Sequence, residues 1–386
     1  MRRLVLFVAG LALLVSVTVA CSGDASESKP GWVMTDLGTL GGKDAYPRAI
    51  NERGQIVGWS GTGDSLHAFL WQDGKMADLG TLSGGERSAA RAINERGQIV
   101  GSSGSGSSPL HAVLWEHGRM TDLGSFPGVS TTIPSALNNR GQIVGSAGSS
   151  RPRWTHGFVW QNGKMIDLGI LPGAYKSVAR AISERGQIVG AGFFGNGTQH
   201  AFLWQNGKLR DLGALEGRAN SHAAAINDRG QIVGWSYTGR NWETPSEARA
   251  FLWQSGKMTD LGTLGGNESQ ATAINDRGQI VGWSDDASNT QRAVLWEKRK
   301  MTDLGTLSGS NGIEAVAINE RSQVVGSSFF ADGDEHAFLW EKKTLTDLGT
   351  LGLWGEVLAI NNRGQIIGWS SASGRMRAVL WTLKRD

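Results

Sequence analysis

The chain has one cysteine and 8 prolines in 386 residues, and beyond its first two dozen positions it has no long apolar run and no helical periodicity. A lone cysteine forms no internal disulfide, so packing has to hold the fold. Charged residues make up 19%, too few for a self-repelling disordered chain. These shortages exclude a disulfide scaffold, a helical bundle and a disordered polyelectrolyte. What is abundant is glycine, at 56 residues, and tryptophan, at 16, a composition that predicts a folded, turn-rich, all-β protein.

The one apolar run lies at the start, residues 4–19, behind Arg2 and Arg3 and ahead of Ala20-Cys21. This is the layout of an export signal. Thr18-Val19-Ala20-Cys21 resembles the lipobox of a bacterial lipoprotein, with Thr18 in place of the usual Leu. The resemblance implies a signal peptide over 1–20, an acylated Cys21 as first mature residue, a linker over 21–31 and a location at the cell envelope, in the outer membrane or at the cell surface. A plain signal peptide, with the protein secreted, or an uncleaved anchor is the alternative. Without Arg2 and Arg3 the 38 basic residues become 36 against 35 acidic ones, so no basic stripe argues for nucleic acid.

From residue 32 to 386 one unit recurs eight times. The Gly of "GQIVG" stands at 54, 97, 141, 186, 230, 278 and 364, with Ser322 in the seventh copy, at intervals of 42 to 48 residues. Each unit holds four short apolar segments, such as Arg48–Asn51, Gln55–Trp59, His67–Trp71 and Met76–Gly80. They are too short for helices and are bounded by Gly, Asn and Asp, so they read as strands. Asp73-Gly74 and Asn162-Gly163 mark a tight hairpin between the third and fourth strands, and Gly54 a tight turn between the first and second. The other two connections are long and vary between copies.

Four strands per unit of about 44 residues predict a β-propeller of eight four-stranded blades. A parallel β-solenoid is the competing architecture, and the Asn-Gly hairpins stand against it. The chain opens with a lone fourth-type strand, Trp32–Gly38, and closes after a third-type strand at Trp381, so the N-terminal strand completes the last blade and shuts the ring.

The combination of "HAFLW", "GKMTDLGTLGG" and "AINxRGQIVG" resembles the HAF-repeat family of bacterial extracellular repeat proteins over residues 32–386. That resemblance implies an exported repeat protein and supplies no catalytic residues.

Five histidines share one repeat position (His67, His111, His156, His200, His336), but Arg249, Arg292 and Arg377 replace them elsewhere. A guanidinium is no metal ligand, so neither a metal nor another cofactor is expected there. Asp78 and Asp211 before Leu-Gly, and Arg96-Gly97 and Arg229-Gly230 in the tight turns, recur in the same way and read as structural. The long loops share one rim, where aromatic and basic residues collect. Trp59, Trp154, Tyr175, Tyr237, Arg240, Trp242 and Trp354 are the candidate ligand-binding set there. With no unique catalytic constellation visible, the expectation is a monomeric, non-catalytic binding module for a carbohydrate or protein at the envelope. A scaffold in an envelope assembly and an enzyme working through the variable rim are the alternatives.

Overall fold

A computed structural model describes residues 31–384 apart from 106–108, 150–153, 240–245, 350–353 and 373. The export segment, Cys21, Arg240 and Trp242 lie outside the described residues. So do the side chains of Trp154 and Trp354, whose backbones begin strands.

Among the described residues thirty-two strands, numbered in chain order from β1 (Trp32–Asp36) to β32 (Arg375–Leu383), form eight four-stranded antiparallel sheets. The first runs β2 (Ala45–Ile50), β3 (Ile56–Gly61), β4 (Leu66–Gln72) and β5 (Lys75–Asp78) in spatial order. The protein is therefore an eight-bladed β-propeller. The last sheet takes its outermost strand from the other end of the chain, because β1 pairs with β32 from Trp32 opposite Leu383 to Asp36 opposite Val379. This is the predicted closure.

Each blade packs face to face on the next, which is why the third strand is apolar on both sides. Val189, Ala201 and Leu203 of the fourth blade meet Ala223, Ile232, Phe251 and Trp253 of the fifth in one buried cluster, and the pattern repeats around the ring. The strand-end tryptophans also tie blades together. Trp115 and Trp296 donate their indole N–H to the carbonyls of Leu79 and Leu261 in the preceding blades, at 2.9 and 3.0 Å.

Two glycines per unit are required by geometry. Gly54 turns with φ of 81° and lies under Gln365 of the neighbouring blade, while a Cβ on Gly58 would fall 2.0 Å from the carbonyl of Tyr46. Ser322 takes the Gly54 position in blade seven with φ of 63° and donates its hydroxyl to Gln279 at 2.8 Å.

The tight turns form a belt around the ring. The side-chain amide of Asn51 donates to the carbonyl of Asn94 at 3.1 Å, and Asn94 hands the same bond to Asn138, so that each blade holds the next. A second course runs beside it: the N–H of Glu52 donates to the carboxylate of Glu95, and that of Glu95 to Asn139. It returns to its origin when Asn362 donates to Glu52 at 3.0 Å. The first course has one gap. Ser183 stands where seven blades have Asn, and Gln187 Oε1, whose counterparts accept from that Asn, is left buried without a partner.

Candidate functional site

The repeated polar positions are spent on the frame. Asp78 accepts from the N–H of Gly80 at 2.7 Å and pairs with His67 at 2.8 Å; Asp211 does the same with Gly213 and His200. Arg292 takes the histidine's place opposite Asp303 at 2.8 Å, which explains how the two residue types alternate. The His200 pKa is raised, first by its hydrogen bond to Asp211. For Asp211, burial opposes ionisation, but the bonds from His200 and Gly213 outweigh it and hold the carboxyl below its usual value. Arg96 and Arg229 sit in belt turns and Gly97 and Gly230 shape them, each under a glutamine of the neighbouring blade. Among the described residues no group of three or more His, Cys, Asp or Glu is placed to hold a metal ion.

The variation that matters lies inside the innermost strands, where they line the axis. Each carries a bulge one residue before the recurring alanine, as between Pro47 and Ala49. A bulge re-aims the side chain it carries. That position reads Arg48, Arg91, Ser135, Arg180, Ala224, Thr272, Val316 and Leu358 around the ring. Two residues earlier it reads Tyr46, Ala89, Ile133, Val178, His222, Gln270, Glu314 and Glu356. Cations thus occupy one arc of the channel and carboxylates the other.

On the cationic arc, Arg48, Arg87, Arg91, Trp59, Leu66 and Leu110 line a cleft of about 270 Å³ between the first two blades, opening on the long-loop rim. Trp59 stacks on Tyr46 at 5.9 Å with rings 4° apart, and the Arg48 guanidinium lies 4.7 Å over the Tyr46 ring. Neither Arg48 nor Arg91 forms an ion pair with a carboxylate among the described residues. Arg91 is crowded by protein yet keeps a face open to solvent; burial and then the like charge of Arg48 lower its pKa, though a guanidinium stays charged throughout. Farther round, burial and the charge of Arg180 keep His222 neutral, and it stacks on Trp235 at 4.1 Å.

On the acidic arc, Glu314 is enclosed by protein but still touched by the channel. Burial pushes its carboxyl up to about 7, with Glu356 and Glu335 adding to the rise, against a hydrogen bond from Gln291 at 3.0 Å. Glu356 accepts from the Trp369 indole at 2.9 Å and, after burial, helps push Tyr46 up to about 12. Arg91, Arg48, Tyr46, Glu356 and Glu314 therefore influence one another in turn along four consecutive blades of the ring.

The expected rim set is only partly brought together. Trp59 lines the cleft, whereas Tyr175 stands 54% exposed and apart from it. Tyr237 is a correction: it lies within β19 (Ile232–Thr238), 1% exposed, with burial pushing its hydroxyl up to about 12, so it presents no surface to a ligand. Arg48, Arg91 and Glu314 were missed. Their signal was available as a position that changes character between copies while its neighbours stay constant.

No family model matches the sequence, and no curated protein does. Solved structures do. The β-propeller domain of the Trilobed protease from Pyrococcus furiosus, described as having an open velcro topology, aligns with a TM-score of 0.51 at 11% identity, covering 78% of this chain and 97% of that one. An oligogalacturonate lyase from Vibrio parahaemolyticus aligns with a TM-score of 0.51 at 10% identity, over 91% and 94%. Prolyl endopeptidases give 0.50 at 10%, and there the chain spans 55% of the other's length. These likenesses bear on the fold, and all three are enzymes or enzyme domains.

They correct the expectation of a non-catalytic module for carbohydrate or protein at the envelope, and its scaffold alternative. That expectation rested on finding no unique constellation among the repeated residues, which clasp the frame. Among the described residues the ring stands alone, with no catalytic domain beside it.

Proposed function

We propose that the ring is the substrate-binding frame of an enzyme acting on a small anionic compound taken at the mouth of the axial channel. One observation carries this: Arg48 and Arg91 converge on an open cleft as two like charges with no carboxylate between them. A carboxylate or phosphate seated there would relieve the repulsion and accept charge-assisted hydrogen bonds. Trp59, backed by Tyr46, offers a flat face to the rest of the ligand. On the adjoining acidic arc, Glu314 holds its proton up to about pH 7, which suits a group that exchanges protons near neutrality.

The test is calorimetry and product detection by NMR with a panel of galacturonate oligomers, sugar phosphates and short peptides. At least one anion binds, and Arg48→Gln and Arg91→Gln each weaken it at least about tenfold. Glu314→Gln abolishes turnover while leaving binding in place. Absence of binding across the panel, or binding indifferent to both arginine variants, overturns the site. Binding without any turnover overturns the enzyme.

A further inference from the structure

The tight-turn rim is not electrically uniform. In the first two blades its cations, Arg53, Lys75, Arg96 and Arg119, are balanced by Glu52, Asp73, Glu95 and Glu116, and blades three to five carry Arg140, Lys164, Arg185, Lys208, Arg229 and Lys257 against Glu184 and Asp228, so the density of cations rises around the ring. In the last three blades the hairpins and the chain end contribute Lys298, Arg299, Lys300, Lys342, Lys343 and Lys384, all exposed. The turns add Arg277, Arg321 and Arg363. Opposing these nine cations are four carboxylates, Asp276, Glu297, Glu320 and Glu341. None of these cations forms an ion pair among the described residues.

The cluster is maintained against backbone preference. Blades three and four make their hairpins with Asn-Gly, but blades six and seven use Lys298-Arg299 and Lys342-Lys343 in the same left-handed conformation, at φ of 49°, 67°, 50° and 66°. That conformation favours Gly and Asn and strains a long side chain.

The chain enters the ring at the same corner. Trp32 lies opposite Leu383, so β1 starts on the tight-turn rim beside the basic hairpins, and the carbonyl of Gly31 accepts from the N–H of Lys384 at 2.6 Å. Val33 and Leu383, 40% and 59% exposed, are apolar side chains at that corner. Ahead of it in sequence stand the apolar run and Cys21.

We propose that this rim, at blades six to eight, lies against a bilayer bearing anionic phospholipid headgroups, with the N-terminal segment as anchor and the basic hairpins as the second membrane signal. One anchor and one basic patch together are what stable membrane attachment requires. The channel mouth with Arg48 and Arg91 then faces away from the membrane.

To test this, the full-length protein is reconstituted through its N-terminus into phosphatidylcholine vesicles with and without phosphatidylglycerol. Lysines are pulse-labelled with an amine-acylating reagent and quantified by mass spectrometry. On anionic vesicles Lys298, Lys300, Lys342 and Lys343 label at least about fivefold more slowly than on neutral ones, the factor a single basic residue gains near such a surface. Lys43, on the opposite rim, and Lys75, in the balanced sector, are unchanged, and high salt removes the difference. The double variant K342N/K343G restores the preferred turn, so its unfolding midpoint is equal or higher, yet protection at Lys298 and Lys300 falls. Failure to associate with vesicles, equal labelling on both types, protection of Lys43 instead, or protection only by a soluble polyanion such as heparin overturns the proposal.

Discussion

At the scale of single residues, Ser183 is the one place where the belt's first course drops a bond. Replacing it with Asn supplies a donor to Gln187 Oε1, now buried without one, and a second to the carbonyl of Asn227. Ser183→Asn is therefore expected to stabilise the ring by about 1–3 kcal/mol, the worth of two buried hydrogen bonds. Urea unfolding checks it, and an unchanged or lower midpoint shows that the belt contributes little. Glu314 gives the opposite kind of prediction. Its carboxyl is pushed up to about 7, so the folded state holds a proton that the unfolded chain releases near pH 4.3. Stability then falls as pH rises between those values and stays low above them. Glu314→Gln carries no such penalty and is expected to exceed the parent at pH 8 by roughly 3–4 kcal/mol. The two should converge below about pH 4; a constant offset across that range would mean the carboxyl is not shifted.

At the scale of elements, four strands per unit were legible because hairpin chemistry is local. Asn-Gly, Asp-Gly and the Gly54 turn act through the backbone of one or two residues. The limits of the strands were less legible. Tyr46 looks like a loop residue between units, and Phe193 and Tyr237 like loop residues between the second and third strands, yet they fall inside β2, β15 (Ile188–Phe194) and β19, because pairing with the neighbouring strand extends past the apolar core. That the third strand is buried on both faces was legible, but which polar side chains meet across a seam was not. Glu52 reads as a solvent-facing turn residue, and only closure of the ring reveals that it accepts from Asn362, 310 positions away. The cleft was missed for the same reason: Arg48 and Arg91 are 43 residues apart in sequence and meet only when two blades stack.

At the scale of the whole molecule, near-identical units build a frame whose symmetry is broken in few places. Among those places are Ser183 in the belt, the two arcs of the channel and the basic hairpins of blades six and seven, and all of them are substitutions at fixed repeat positions. Repetition so dominates the sequence that its exceptions read as noise until the ring places them side by side.

The belt has a further consequence. Every bond in it is passed in the same rotational sense, and it crosses the junction of the eighth and first blades by the same geometry as the other seams that keep both courses. The belt does not register where the polypeptide starts. Since Gly31 and Lys384 already share a hydrogen bond, joining them and opening the chain between Ala287 and Ser288 should give a circular permutant with the same unfolding midpoint to within a few degrees. A permutant that fails to fold would show that assembly has an obligatory first blade.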